Sequence, residues 1–284
     1  MAKSIKNDIF EGELGQDLSA KKSLGQNFLK NTTIIEKIAK KTQEIIEKNQ
    51  KNLKKPIQIL EIGPGKGALT EYLLKLGNPV TAIEADDRMV EFLTKKFAEP
   101  LENKGFSLIL QDIREFSPEN IKNPYILVAN IPYYLTGYIF KQFLESNHQP
   151  LAIIVMIQKE VALRMTDRKQ SLLSLCANTY GKPSILTHVS KGNFVPMPKI
   201  DSSVLVIDEI SKDLFKNSSN PDVLEKLYWQ SAKKGFNSKR KQVGGTVLRD
   251  ELKKTNSKLH EFSKRRPEEL STQDWLKIAS EISK

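Results

Sequence analysis

The chain has 284 residues, 39% of them hydrophobic and 28% charged, with a mean hydropathy of −0.42. This composition excludes a disordered or fibrous chain and supports a buried core, and the single cysteine, Cys176, excludes a disulfide framework and a cysteine-based zinc site. Apolar runs stop short of the roughly 18–20 residues of a membrane span and the first residues lack the apolar core of a secretory signal, so a cytoplasmic protein with no membrane association is expected.

The formal net charge is +11, and it is unevenly spread: residues 1–60 carry +5, residues 61–210 carry −1 and residues 211–284 carry +7. Two basic ends around a near-neutral middle suit a polyanion, since phosphate contacts supply affinity without sequence information. A face of solvated lysines is the alternative.

Residues 1–20 are polar and aperiodic and are expected to form a flexible segment. From Thr33, Ile34, Ile35, Ile38, Ile45 and Ile46 fall at helical spacing, with Asn31 or Thr32 as cap. After Pro56, short apolar runs alternate with helical stretches. Strands are predicted at 57–63, 79–85, 106–112, 125–131 and 151–158, and helices at 68–76, 88–97 and through Phe140 and Leu144. Strands alternating with helices make a mostly parallel sheet with helices on both faces. Helical character resumes after Gln158 and from Leu172 to Tyr180, and two β-rich runs follow at 184–190 and 202–210. Residues 222–284 show helical spacing alone (Val223, Leu227, Ala232; then Leu270, Trp275, Ile278, Ile282). The expected organisation is an α/β domain over 21–210 followed by a small all-α domain over 211–284.

The strongest local signal is Leu60-Glu61-Ile62-Gly63-Pro64-Gly65-Lys66-Gly67, a glycine-rich turn between the first strand and its helix, where a ligand can approach bare backbone. No Gly-Lys-Ser/Thr follows, so it is not a phosphate-binding P-loop. Glu84 ends the second strand, where an acidic side chain takes both ribose hydroxyls of an adenosine-containing ligand. These features alone do not separate a nicotinamide dinucleotide from S-adenosylmethionine. Strands three and four end at Asp112 and Asn130, which completes a rim at the carboxyl ends of four strands. Asp112 suits an adenine amine. Asn130-Ile131-Pro132-Tyr133 offers two carbonyl acceptors and an aromatic face, which suits a planar base with an exocyclic amine.

Asn130-Ile131-Pro132-Tyr133 after strand four, with Glu61-Ile62-Gly63-Pro64-Gly65 after strand one, resembles the adenine-N6 methyltransferases of ribosomal RNA. Ser23-Leu24-Gly25-Gln26-Asn27-Phe28-Leu29, Gln158-Lys159-Glu160-Val161 and the run from Phe194 to Ser203 match further blocks of that family. Phe236-Asn237-Ser238-Lys239-Arg240-Lys241 and the run from Arg266 to Ser271 resemble its small-subunit, KsgA-type branch. The resemblance implies a Rossmann-like class I methyltransferase domain and S-adenosyl-L-methionine as cofactor, leaving as S-adenosyl-L-homocysteine. It also implies site roles. Gln26, Asn27 and Leu29 close over the cofactor, Gly63 and Gly65 lie against its methionine part, Glu84 binds the ribose and Asp112 the adenine. Asn130 touches both cofactor and target amine, with Ile131 and Pro132 beside it, and Tyr133 and Phe194 stack the target base. Lys239, Arg240 and Lys241 are expected to bind RNA, and no metal is implied. The implied substrate is two adjacent adenosines near the 3′ end of small-subunit (16S) ribosomal RNA, within an assembling 30S particle and met by a monomer.

Two stretches depart from the family pattern: Gln170-Ser171 replaces a Tyr-Gly pair, and Gly244-Gly245 stands where glycines are expected to weaken a helix start. Rival readings are a large-subunit ribosomal RNA adenine methyltransferase of the macrolide-resistance type, a nicotinamide dehydrogenase, which leaves the Asn-Ile-Pro-Tyr run unexplained, and a non-catalytic ribosome assembly factor. His148, His188 and His260 lack metal-ligand spacing. Cys176 is expected to be buried, and Trp229 and Trp275 to pack the helical domain.

Overall fold

A computed structural model describes residues 18–283 except 168 and 254–257, so the expectation for the N-terminal segment lies almost wholly outside the described residues. The strands are β1 (Phe28–Leu29), β2 (Gln58–Ile62), β3 (Val80–Glu84), β4 (Phe106–Leu110), β5 (Tyr125–Asn130), β6 (Ala152–Gln158), β7 (Lys182–Val189), β8 (Phe194–Val195) and β9 (Ser202–Asp208). Seven of them form one sheet in the order β4-β3-β2-β5-β6-β9-β7, and β1 pairs antiparallel with β8. The run β4-β3-β2-β5-β6 is parallel throughout.

The chain packs as two compact units. One comprises the described residues of Met1–Lys159 together with Leu186–Val206, and the other Glu160–Ile185 together with Ile207–Lys284. The division therefore differs from the expected single boundary near residue 210, because Glu160–Ile185 groups with the C-terminal helices.

In the first unit the central strands are buried on both faces. On β2, Ile59 and Leu60 point to opposite sides and both are fully buried, as a sheet covered by helices requires. Helix α1 (Thr32–Gln50) buries Ile34, Ile35, Ile38, Ile45 and Ile46, and the Asn31 side chain caps it by accepting from the Ile34 amide at 3.3 Å. The helix expected over 68–76 is α-helical only at α2 (Thr70–Leu74), because Gly63, Gly65 and Gly67 all hold positive φ just before it. Helices α3 (Asp87–Lys96), α4 (Ala98–Glu102) and α5 (Thr136–Leu144) follow β3 and β5.

The second unit holds α6 (Lys159–Thr166, from Glu160 onward), α7 (Leu172–Tyr180), α8 (Pro221–Phe236) and α9 (Thr272–Ile282). Its core is aromatic: Tyr180 stacks on Trp229 at 6.0 Å, Tyr228 meets Phe215 edge-on at 5.4 Å, and Trp275 is fully buried. Trp229 and Cys176 are buried as expected. On α8 the predicted core position Val223 is exposed and its neighbour Leu224 is buried. Val223 sits in the first turn, held by the Asn220 cap and its amide bond at 3.3 Å.

At the two departures from the family pattern, Ser171 and Gly244 have local structural reasons. Ser171 and Ser174 form a capping box that starts α7, and Gln170 donates its amide to the Glu268 carbonyl at 2.9 Å. Val243–Gly245 is a 3₁₀ turn rather than an α-helix start. It is held by amide bonds from Val243 to the Arg265 carbonyl at 2.9 Å and from Gly244 to the Ser263 carbonyl at 3.0 Å. A Cβ on Gly244 would lie 2.6 Å from that carbonyl oxygen, whereas one on Gly245 meets nothing within 4 Å. Gly244→Ala is therefore expected to destabilise the protein by about 1–3 kcal/mol. Gly245→Ala is expected to be neutral or stabilising by about 0.4–1 kcal/mol. Urea unfolding of the two variants checks this; equal effects would contradict the packing.

Candidate functional site

Parallel pairing of β3, β2, β4 and β5 brings their carboxyl ends to one rim, above a cleft of about 910 Å³. Gly63, Gly65, Glu84, Asp112, Asn130, Ile131, Pro132 and Tyr133 all line it, and so do Gln26, Asn27, Leu29 and Phe194. Of the predicted site residues only Lys239, Arg240 and Lys241 lie elsewhere, exposed in the turn after α8 of the second unit.

The floor is the glycine turn. A Cβ on Gly65 would lie 2.9 Å from the Phe28 ring, and one on Gly67 would lie 2.6 Å from the Phe97 ring. Side chains are thus excluded both by space and by the left-handed backbone (φ +55° and +73°). Glu84, buried at the end of β3, fastens this turn: its carboxylate accepts from the amides of Gly65 at 3.1 Å, Ala85 at 2.9 Å and Asp86 at 2.9 Å. Burial raises its pKa, and the three amide bonds work against that shift.

Glu61 belongs to the glycine-rich motif, yet the motif assigns its side chain no role. It lines the cleft from β2 and is 1% exposed. Its Oε2 has no hydrogen-bond partner among the described residues. Burial pushes its carboxyl up to about 8; the nearby Thr70 hydroxyl works against the rise and the charge of Glu84 adds to it.

The N-terminal wall is held by Asp86, a residue that no sequence motif marks. Its carboxylate is fully buried and accepts from Lys21 Nζ at 3.1 Å, Gln26 Nε2 at 3.0 Å, Arg88 Nε at 3.1 Å and Arg88 Nη2 at 2.7 Å. Burial opposes its charge, but the bonds from Arg88, Gln26 and Lys21 win and hold the carboxyl well below the usual range. Gln26 also accepts the Lys21 amide at 2.8 Å. Its side-chain amide is thus spent within the wall, so it shapes the cleft rather than offering a free donor. Asn27 donates to the Gly25 carbonyl at 3.0 Å, and Leu29, buried, pairs with Phe194 in the β1–β8 ladder.

Asp112 does not stand free at the end of β4. Arg114 grips it through Nε at 3.0 Å and 3.1 Å and through Nη2 at 2.6 Å, and these bonds lower its pKa. Asn130 is the opposite case: its side-chain amide lines the cleft with no hydrogen bond among the described residues. Tyr133 is half-buried, and its hydroxyl shares a 2.7 Å hydrogen bond with the fully buried Ser202. That bond anchors the far end of the ring, and only the fold brings the two residues together. Phe194 lines the cleft but is 3% exposed and belongs to the hydrophobic core. No group of three or more His, Cys, Asp or Glu among the described residues is arranged to hold a metal.

Two outcomes follow from this geometry. The Glu61 carboxyl binds its proton more tightly folded than unfolded, so its contribution to stability is lost as pH rises from 4.5 to about 8. Glu61→Gln should flatten that fall and be the more stable protein at pH 9, as read by thermal melting across pH. Separately, Tyr133→Phe leaves the buried Ser202 hydroxyl unpaired and should cost about 1–2 kcal/mol. Adding Ser202→Ala should recover part of that loss, and a double-mutant cycle in urea measures the coupling.

The family model described as ribosomal RNA adenine dimethylase matches residues 17–284. A ribosomal RNA small subunit methyltransferase A of Dehalococcoides mccartyi is 35% identical over 283 residues, covering 95% of this chain and 90% of that protein. Another of the same description, from Mycoplasmopsis pulmonis, is 38% identical over 231 residues, covering 80% and 82%. Among solved structures, a dimethyladenosine transferase from Plasmodium falciparum superposes with a TM-score of 0.70 at 22% identity, covering 90% of this chain and 97% of that one. The 23S rRNA methyltransferase ErmE superposes with a TM-score of 0.65 at 22% identity, covering 91% and 100%. At such identities the two structures establish a common fold.

Proposed function

The chain belongs to the ribosomal RNA adenine dimethylase family, and from that premise we propose that it dimethylates the N6 amines of two adjacent adenosines near the 3′ end of small-subunit ribosomal RNA. It acts, in this reading, as a cytoplasmic monomer on an assembling 30S particle. The observation that carries the reading is the free Asn130 amide beside the pinned Tyr133 ring, on the same rim as Glu84 and the glycine turn.

The residues present fit S-adenosylmethionine. The cleft is roomy, its floor is bare backbone at Gly63 and Gly65, and the buried Glu61 Oε2 lacks a partner among the described residues. Glu84 would hold the ribose while keeping the glycine turn, and Asp112, steadied by Arg114, would take the adenine amine. When bound, the cofactor supplies a sulfonium methyl already activated for transfer.

The chain's own part is positioning. The Asn130 side-chain oxygen and the Ile131 carbonyl accept from the two N–H bonds of the target amine, which leaves the nitrogen lone pair available. Pro132 stiffens the backbone between them. Tyr133 stacks on the base, and Phe194 supports it from the core side. No strong base is needed, because the amine becomes acidic once methylated and its proton passes to water.

The relatives at 35% and 38% identity carry the small-subunit description, so the large-subunit alternative is not favoured. The open rim and the free Asn130 amide argue against a purely non-catalytic assembly factor.

The test supplies methyl-labelled S-adenosylmethionine with unmethylated small subunits, large subunits and bare RNA, and maps the label. Label on paired adenosines of small-subunit RNA is expected, and label confined to large-subunit RNA would reverse the assignment. Replacing Lys239, Arg240 and Lys241 by alanine should flatten the slope of log RNA affinity against log salt, by up to about 0.7–0.9 for each phosphate no longer neutralised. An unchanged slope would leave them an ordinary solvated face.

A further inference from the structure

Tyr134 is 64% exposed at the mouth of the cleft, directly after the pinned Tyr133. The two tyrosines open the 3₁₀ turn Tyr133–Leu135, in which successive side chains leave the axis about 120° apart. One ring therefore turns inward to Ser202 while the other stands in solvent. Arg114 also lines the mouth, with its side chain 60% exposed. Its Nε and Nη2 edge is locked onto Asp112, so the guanidinium plane is held in one orientation. Tyr138, 38% exposed, donates its hydroxyl to the Arg114 carbonyl at 2.6 Å and fixes that loop to α5.

We infer that Tyr134, with Arg114 on the same lining of the cleft, is a stacking platform for the nucleotide next to the flipped adenosine in single-stranded RNA. The inference rests on the reading that the cleft receives an RNA adenine. Any strand delivering a base to Tyr133 must pass this mouth, and single-stranded RNA is recognised by stacking its splayed bases on aromatic rings and guanidinium planes. The local charge favours stacking over phosphate binding, because Asp112 neutralises Arg114. With two adjacent adenosines as substrate, the platform holds one while the other occupies the cleft.

The experiment measures binding of a short single-stranded RNA carrying tandem adenosines, with 2-aminopurine in place of the second, by the wild type and by Tyr134→Ala, Tyr134→Phe and Tyr134→Trp. Tyr134→Ala should bind about five- to a hundredfold more weakly, with an unchanged salt slope, since stacking releases no counterions. Quenching of the 2-aminopurine should be lost in Tyr134→Ala and kept in the Phe and Trp variants. Wild-type affinity in Tyr134→Ala, a loss that Phe and Trp do not restore, or a change confined to self-association would each overturn the platform. Wild-type protein that binds no such RNA would bring down the functional reading as well, which separates the two failures. Melting curves identify any variant that fails to fold.

Discussion

The Glu84 carboxylate is the joint on which the cleft depends. It sits at the end of β3, buried, and takes the Gly65 amide from across the rim together with two amides of its own turn. It adds to the amide bonds that Gly63 makes to the Ile83 carbonyl and Gly67 to the Pro64 carbonyl, both at 2.9 Å, in holding a turn whose three glycines sit at positive φ. With it, bare backbone is presented to a ligand beside an acidic group. Burial raises the proton affinity of both Glu84 and Glu61, so the site holds two carboxyls in a poorly solvated floor.

The walls are tied to this floor by polar contacts between segments far apart in sequence. Asp86 draws Lys21 and Gln26 onto the start of α3. The Phe28–Val195 and Leu29–Phe194 pairs join the N-terminal segment to the loop before β9, and Asn31 bonds Asn193 at 2.7 Å. Ser202 then reaches Tyr133. The Tyr133 ring is thereby anchored at its hydroxyl by a residue 69 positions away.

In the second unit a buried polar network does comparable work. Trp229 donates to the Tyr180 hydroxyl at 2.8 Å, that hydroxyl donates to Glu225, and Lys212 bonds the same carboxylate at 2.9 Å. Burial, with Glu225 adding, raises the Tyr180 pKa, so the phenol remains a donor. Gly235 lets α8 approach the Trp275 ring, which would lie 2.7 Å from any Cβ there. Beyond that approach the chain leaves α8 with Lys239, Arg240 and Lys241 exposed in the following turn.

Much of this is legible in the residues alone. Alternation of apolar runs with helical stretches marks the strands of the parallel sheet to within one or two residues, because burial on both faces demands continuous apolar strands. The positions of Gly63, Glu84, Asp112 and Asn130 at strand ends place them on one rim, since parallel strands share a direction. What the residues do not determine are the partners. The strand order, the β1–β8 pair, the grip of Asp86 on Gln26, that of Arg114 on Asp112 and that of Ser202 on Tyr133 are all contacts between separate segments or competing side chains. Local pattern carries no record of them, because a hydrogen bond's partner is chosen by proximity in space. The same holds for Val223 and Gly244: periodicity suggests a core position and a weak helix start, while the cap at Asn220 and the Ser263 carbonyl decide otherwise. Local sequence determined which residues could do the chemistry, and tertiary packing decided which of their atoms remain free to do it.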